Sequence, residues 1–176
     1  VGSGSIAFTC NGAKHVVANG IVAFPLVTCS ALTSVTVTGD GADQSVLGYS
    51  LDAAAFSAKP SLVVSMGDGA DSVSETNNAD SLDLGAGSDR VFLHPGTANG
   101  AISLGTGAND TAYVTGTKGS DKLVAASAAG TTLSVSRYAN GILAGTSTVT
   151  NVDTANVTGD AGNDTLFGES SNDKLY

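Results

Sequence analysis

Short runs in which apolar and polar residues alternate recur along the chain, separated by clusters of Gly, Asp, Asn and Ser. Val35-Thr36-Val37, Leu62-Val63-Val64, Leu82-Asp83-Leu84 and Ile102-Ser103-Leu104 are four such runs. Their period of two puts the apolar side chains on one face of a β-strand. Each run leads into a turn rich in glycine and aspartate. These turns are Gly39-Asp40-Gly41-Ala42-Asp43, Gly67-Asp68-Gly69-Ala70-Asp71, Gly85-Ala86-Gly87-Ser88-Asp89 and Gly105-Thr106-Gly107-Ala108-Asn109-Asp110. Asp71, Asp80 and Asp89 are nine residues apart and nine again, and Gly67/Gly69 precede Gly85/Gly87 by eighteen. A period of nine suits neither a helix nor a plain run of hairpins. It predicts a turn, a short strand, an opposite turn and a short strand, with residues eighteen apart stacked one above the other. The expected fold is all-β, a right-handed parallel β-roll or β-solenoid forming one elongated module over residues 1–176.

The same pattern divides the chain. Residues 1–38 contain no acid and no nonapeptide, and read as short strands at Ile6–Cys10, His15–Val17, Ile21–Phe24 and Leu32–Val37, with turns at Asn11-Gly12 and Asn19-Gly20. Arrays need a distinct end to cover the apolar layer and the open strand edges, so this segment is expected to be an N-terminal β cap. A first array follows over 38–124, with an insertion from Tyr49 to Pro60 that is expected to loop out or to form a short helix over Leu51–Phe56. Its opposite turns, Asn77–Asp80, His94–Asn99 and Gly116–Asp121, are less regular. Residues 125–157 interrupt the period with two strands, Thr131–Ser136 and Thr146–Val149, joined as a hairpin across Asn140-Gly141. A second array over 158–176 holds two tandem nonapeptides, Gly159–Phe167 and Gly168–Tyr176. The last coil would lack a cover, so the natural protein is expected to continue past Tyr176. Because the sequence starts at Val1 rather than at a Met, a processed or trimmed chain is expected.

Composition narrows the function classes. Hydrophobic residues make up 41% but aromatics only 5%, which suits a thin core of stacked Val, Leu and Ile. The 16 acids against 7 Lys and Arg give a charge of −9. That argues against nucleic acid and anionic membrane surfaces and leaves cations as partners. The longest apolar stretch, Ile21–Val27, is short and contains Pro25, so no membrane-inserted helix is expected. Asp43, Asp71, Asp80, Asp89, Asp110, Asp121, Asp164 and Asp173 share one motif position. Acids serving solubility alone would have no reason to fall into register. The two cysteines, Cys10 and Cys29, fit one disulfide in an oxidising compartment, with two reduced, buried thiols as the alternative.

The turn composition suggests its chemistry. Glycines at positive φ let carbonyl oxygens face into a turn, and the aspartate adds a hard anionic oxygen. Two stacked turns of this kind can offer the six to eight oxygens that Ca²⁺ takes, whereas Mg²⁺ demands a stricter octahedron. No soft ligand favours zinc or copper. Gly159–Phe167 resembles the RTX, or haemolysin-type calcium-binding, nonapeptide Gly-Gly-x-Gly-x-Asp-x-U-x, and Gly116–Val124 and Leu84–Phe92 match it more loosely. The resemblance covers roughly 38–124 and 157–176. It implies a parallel β-roll holding several Ca²⁺ ions. The implied ligands are Gly67, Asp68, Gly69, Asp71, Gly85, Gly87, Asp89, Gly105, Gly107, Asp110, Asp80, Asp121, Gly159, Asp160, Gly162, Asp164, Asp173 and Asp43. It places Val73, Leu82, Val91, Leu123, Leu166 and Leu175 in the core.

Departures from the pattern shape the expectation. Thr38, Met66, Leu84 and Leu104 stand for the first glycine, Ser45 stands where an apolar residue belongs, and Asn109 is an extra residue. The 77–80 turn lacks glycine and the 94–99 turn lacks aspartate. Sites are therefore expected between the 67–71, 85–89 and 105–110 turns, with fewer ions or none on the opposite edge. The alternative is a calcium-free solenoid whose aspartates make Asx-type turns. No Gly-x-Ser-x-Gly or His-Glu-x-x-His is present, and His15 and His94 are isolated, so no catalytic group is expected. The sequence is read as a non-enzymatic, calcium-set structural module of a secreted or surface protein, of surface-layer or fibre type, able to self-assemble. Two alternatives stand beside it: an adhesin segment binding sugar, ice or cells, and the repeat region of an exported enzyme or toxin.

Overall fold

A computed structural model describes residues 4–19, 21–22, 26–93, 100–128, 131–168 and 174–176. Gly20, the second half of the strand expected at Ile21–Phe24, the 94–99 turn and Asp173 lie outside the described residues.

The chain is all-β, with no α-helix among the described residues. It begins with β1 (Gly4–Cys10), β2 (Val16–Ala18) and β3 (Ile21–Val22), and continues with β4 (Ser34–Thr38), β5 (Gln44–Leu47), β6 (Ser61–Asp68) and β7 (Ser72–Ser74). Then come β8 (Ser81–Gly87), β9 (Arg90–Leu93), β10 (Ala101–Ser103), β11 (Thr106–Gly107) and β12 (Thr111–Thr115). The last third holds β13 (Asp121–Ala128), β14 (Thr132–Ala139), β15 (Ile142–Thr150), β16 (Thr154–Thr158), β17 (Thr165–Gly168) and β18 (Lys174–Leu175).

These strands form two nine-stranded sheets, neither closed on itself. The first runs β18-β16-β12-β9-β7-β5-β1-β2-β3, and the second β17-β13-β14-β15-β10-β8-β6-β4, with β11 paired to β8. From β4 to β10 successive strands alternate between the two sheets, and from β6 on each pairs in parallel with the strand two before it. The sequence explains this alternation. In β6, Leu62, Val64 and Met66 are buried while Val63 and Ser65 face outward, and such a strand needs a second layer for its apolar side. Val46, Val73, Val91 and Val114 of the first sheet join Leu62, Val64, Leu82, Leu84, Ile102 and Leu104 of the second in one buried cluster.

Several expectations change. The N-terminal segment is not a separate cap: β1 pairs in parallel with β5 and β4 with β6, so both are first rungs of their sheets. Beyond β1 the sheet ends in antiparallel pairs, β2 against β1 and β3 against β2. The Cys10–Cys29 disulfide, with Cα atoms 6.1 Å apart, ties the end of β1 to a short 3₁₀ turn at Cys29–Ala31. The 49–60 insertion does not loop out. A 3₁₀ turn at Gly48–Asp52 replaces the expected helix, and Leu51 and Phe56 are both buried in the common core. The apolar run is too short and uncapped to hold an α-helix. Ser45 does not leave a hole, because Val46 pairs with Val73 and fills the core position.

The hairpin across Asn140-Gly141 forms as predicted, with φ of 52° and 78° at the two central residues, as a type I′ turn requires. It is not an appendage. β13 already extends past residue 125 and is antiparallel to β14, while β15 stacks in parallel on β10 and β13 on β17. The insert is thus built into the second sheet between two rungs. In the first sheet β12 pairs directly with β16, so the break is bridged there without extra strands.

The disulfide closes a loop of sequence separation 19. Chain entropy predicts that its reduction, or Cys10→Ser with Cys29→Ser, lowers stability by about 3 kcal/mol. Urea denaturation with and without reductant measures this directly. An unchanged midpoint would show that the β1 edge is held by pairing alone.

Candidate functional site

The glycine-rich turns that join the second sheet to the first stack on one edge. Gly67 pairs with Gly85, and Gly87 with Gly107, continuing the ladders beyond the strands. The stack leaves no room for side chains. A Cβ at Gly85, where φ is +94°, would lie 2.0 Å from the Gly67 carbonyl oxygen, and one at Gly87 would lie 1.6 Å from that of Gly69. Gly105 and Gly107 meet the carbonyls of Gly85 and Gly87 in the same way. The Gly-x-Gly spacing therefore serves close approach of successive turns as well as backbone freedom.

Beside the glycines runs a column of carboxylates. Asp71, Asp89 and Asp110 are buried. Each carboxylate accepts the backbone N–H of the preceding rung at the same position. Asp71 Oδ1 accepts from Gln44 N (2.9 Å), Asp89 Oδ1 from Asp71 N (2.8 Å), and Asp110 Oδ1 from Asp89 N (2.8 Å). Asp153 Oδ2 continues the series from Asp110 N at 3.0 Å. The other oxygens of two of these groups, Asp71 Oδ2 and Asp89 Oδ2, are buried without a hydrogen-bond partner. A buried anionic oxygen lacking a donor is costly and calls for a counter-charge.

The electrostatics agree. Burial pushes the Asp89 carboxyl up to about 6, outweighing the Asp71 N–H bond, and the charges of Asp71 and Asp110 add to the rise. Burial likewise raises Asp71 and Asp110, outweighing the amides of Gln44 and Gly67 on the first and of Asp89 on the second, and the charges of Asp43 and Asp40 on the first and Asp153 on the second add to the rise.

The opposite edge is built differently. Asp80 Oδ1 accepts from Leu62 N (2.8 Å) and from the Thr76 hydroxyl (2.8 Å), while Oδ2 accepts from Thr76 N (2.6 Å). Burial still raises its carboxyl. Asp121 repeats the arrangement: its Oδ2 takes Thr117 N (2.6 Å) and the Thr117 hydroxyl (2.7 Å). Here the inserted hairpin adds Arg137, whose Nη1 lies 3.2 Å from Asp121 Oδ1. Burial pushes Asp121 up, but Thr117 and Arg137 together outweigh it and hold the carboxyl below the usual range. Asp164 Oδ1 accepts Asp121 N at 2.9 Å, and Gly162 stacks on Gly119.

The predicted residues thus separate into groups. Gly67, Gly69, Asp71, Gly85, Gly87, Asp89, Gly105, Gly107 and Asp110 come together, with Asp68 exposed beside them. Asp43 is displaced by one. Gln44 aligns with Asp71, and exposed Asp43 accepts Ala70 N at 2.9 Å. Gly159, Asp160, Gly162 and Asp164 carry the best motif match yet stack on the 116–121 turn, away from the column, and Asp160 is exposed at φ +70°. Asp80 and Asp121 spend their oxygens on threonines, so neither carboxylate is left short of donors.

Gln44, Asp153, Thr76, Thr117 and Arg137 are missing from the sequence reading. Two signals mark three of them. Asp110–Gly116 (Asp-Thr-Ala-Tyr-Val-Thr-Gly) recurs 43 residues later as Asp153–Gly159 (Asp-Thr-Ala-Asn-Val-Thr-Gly), and a threonine stands four residues before both Asp80 and Asp121.

Could the column hold a cation? Among the described residues no three acidic, His or Cys side chains converge as a metal-holding group. A cation at these turns would draw on backbone carbonyls beside the carboxylates. The two unpartnered oxygens, the all-oxygen donor set and the carbonyl-lined glycine stack suit a hard cation.

The raised carboxyls fix a pH response. A carboxyl whose folded pKa lies above its unfolded value stabilises the fold fully below the unfolded pKa, and that contribution is lost as pH rises through the folded one. For Asp89 the window runs from 3.8 to about 6. Asp71, Asp80 and Asp110 act in the same direction and Asp121 in the opposite one. In chelator, the protein should gain stability on acidification from neutral pH towards pH 5. Asp89→Asn should be more stable than wild type at neutral pH and should flatten that gain, by up to about 3 kcal/mol. Urea midpoints that fall steadily over this range would contradict the expectation. No family model matches the chain, and neither the curated proteins nor the solved structures give a significant match, so the site is read from its own geometry.

Proposed function

We propose that the two sheets are the faces of a parallel β-roll whose glycine turns hold Ca²⁺, and that the chain is a non-enzymatic, calcium-set structural module of an extracellular or surface protein. The observation that carries this reading is the pair of buried, unpartnered oxygens, Asp71 Oδ2 and Asp89 Oδ2, in successive stacked turns. The ion would sit with Asp71 and Asp89 as anionic ligands, assisted by carbonyls of the 67–70 and 85–88 segments, and a second would involve Asp89 and Asp110. Calcium supplies the positive charge that three buried carboxylates require. Asp71, Asp89 and Asp110 would then be held ionised at neutral pH. Asp80, Asp121 and Asp164 are assigned a turn-closing role, with Thr76, Thr117 and Arg137 in place of a metal.

An extracellular setting is supported by the disulfide and by a site of a kind that millimolar calcium would fill. No helix among the described residues is long and apolar enough to cross a membrane. Coupling follows from mass action: an ion that binds the folded column stabilises it by RT ln(1 + [Ca²⁺]/Kd), about 2.7 kcal/mol at one hundred times Kd.

Thermal melting tests the assignment. Adding millimolar Ca²⁺ to chelator-treated protein should raise Tm by several degrees, with Mg²⁺ giving a smaller effect. Asp89→Asn should abolish most of the rise, because that carboxylate serves both sites. Asp80→Asn should leave the calcium-induced increment intact, even if it lowers the baseline. Equal Tm in calcium and in chelator would refute the proposal and leave a hydrogen-bonded aspartate ladder.

A further inference from the structure

The outer face of the first sheet carries a slot with the properties of a ligand site. Leu47, Ser74, Phe92 and Tyr113 pair in register across β5, β7, β9 and β12, forming one row perpendicular to the strands. Phe92 and Tyr113 stack with centroids 4.9 Å apart and planes 13° from parallel. That separation matches the rung spacing of about 4.8 Å, so the ring planes stand across the row. The free face of Phe92 is then turned towards the Ser74 rung, where the side chain is small. Tyr49 and Leu47 wall the far side. The result is a cleft of about 440 Å³ lined by Leu47, Tyr49, Ser72, Ser74 and Phe92, within the range of roughly 300–1,000 Å³ found for small-ligand sites.

Thickness and chemistry narrow the occupant. Leu47 and Phe92 are two rungs apart, about 9.6 Å. A planar ring in contact with both walls needs about 7–8 Å, at roughly 3.5–4 Å per contact. A puckered saturated ring, thicker by its chair and axial hydrogens, fills the gap better. Its C–H face suits the π-face of Phe92 and its hydroxyls suit the floor. Ser74 Oγ accepts Tyr49 N–H at 3.3 Å, which leaves the hydroxyl hydrogen to donate. Arg90 stands exposed on the same face, two residues before Phe92 and in register with Ser72. Although the chain carries a charge of −9, the outward positions of β5, β7, β9, β12 and β16 hold no Asp or Glu among the described residues. A carboxylate on the ligand would meet Arg90 without a competing acid on these strands, in the planar geometry that guanidinium favours.

We infer that this slot binds an acidic sugar, a pyranose ring stacked on Phe92 with its carboxylate on Arg90. The site is independent of the proposed calcium column, which lies along the turns. Titration in saturating calcium with a trimer of galacturonic acid, against the neutral galactose trimer, tests it by amide NMR. The acidic sugar should shift Ser72, Ser74 and Phe92 and bind at least about tenfold more tightly than the neutral one, a margin of one bidentate charge contact. Arg90→Gln should erase that margin, and Phe92→Ala should weaken both sugars. Both side chains point to solvent, so circular dichroism should be unchanged, and the comparison on wild type decides the matter without either variant. No shifts at millimolar sugar, equal affinity for both trimers, or shifts that depend on protein concentration alone would overturn the inference, the last by showing a second copy in the slot. None of these outcomes alters the melting response to calcium that tests the column.

Discussion

Burying like charges in a row is the constraint to which the rest of the molecule answers. Parallel pairing stacks equivalent residues about 4.8 Å apart, so an aspartate at one turn position recurs directly above itself. Two unit charges at that distance repel by about 3–4 kcal/mol at an effective dielectric of 20. Asp71, Asp89 and Asp110 are nevertheless buried together. Each gains one backbone N–H from the neighbouring rung, which fixes its position but leaves the charge in place. The ends of the column are milder. Gln44 supplies a neutral amide on the first rung, and exposed Asp153 faces water on the last. The centre, with Asp89 between two acids, has the carboxyl raised to about 6, and neutralisation there by a proton or a cation is what the geometry asks for.

The opposite edge answers the same demand with protein groups. Thr76 and Thr117 each give an N–H and a hydroxyl to one carboxylate, and Arg137 brings a full positive charge to Asp121. Each carboxylate accepts three donors, so the direction of the shift follows burial and the charge of the donors rather than their number. Asp121, with two threonine donors and a guanidinium, is held low, while Asp80, with no cation, is raised. The hairpin that breaks the repeat therefore has an electrostatic consequence as well as a topological one. It inserts two strands into the second sheet and delivers Arg137 to a position where a bare aspartate would otherwise stand.

Much of this was legible from the residues. The alternating runs, the stacking of turns eighteen residues apart, the Asn140-Gly141 hairpin and the Cys10–Cys29 pairing all follow from local rules that tertiary contacts did not override. Register was less secure. Gly39–Asp43 matches the glycine motif, yet Gln44 rather than Asp43 aligns with Asp71, because pairing is set by Val46 reaching the core and a shift of one would turn it outward. Asp153 was invisible to a glycine-based motif, since its turn contains none. The number of donors at each carboxylate could not be read at all. It depends on residues from other rungs, such as Arg137 across from Asp121, whose proximity exists only once the hairpin is folded into the sheet.

The division of labour across the sheets explains why the repeat itself is silent about partners. Inward positions are committed to Val and Leu, and turn positions to Gly and Asp, because both are dictated by the neighbouring rung. Outward positions answer to no such rule and are where the two sheets diverge. On the first, Phe92 and Tyr113 stack beside small Ser74 with no acid on the central strands. On the second, Lys122 lies between the rings of Tyr138 and Phe167, with its ammonium 5.3 and 5.2 Å from their centroids. In the first case an aromatic face is left without a partner of its own, and in the second the chain supplies the cation itself. A surface that satisfies its own aromatic groups gains rigidity, whereas one that leaves a ring face open beside a one-rung gap has kept room for something that is not part of the chain.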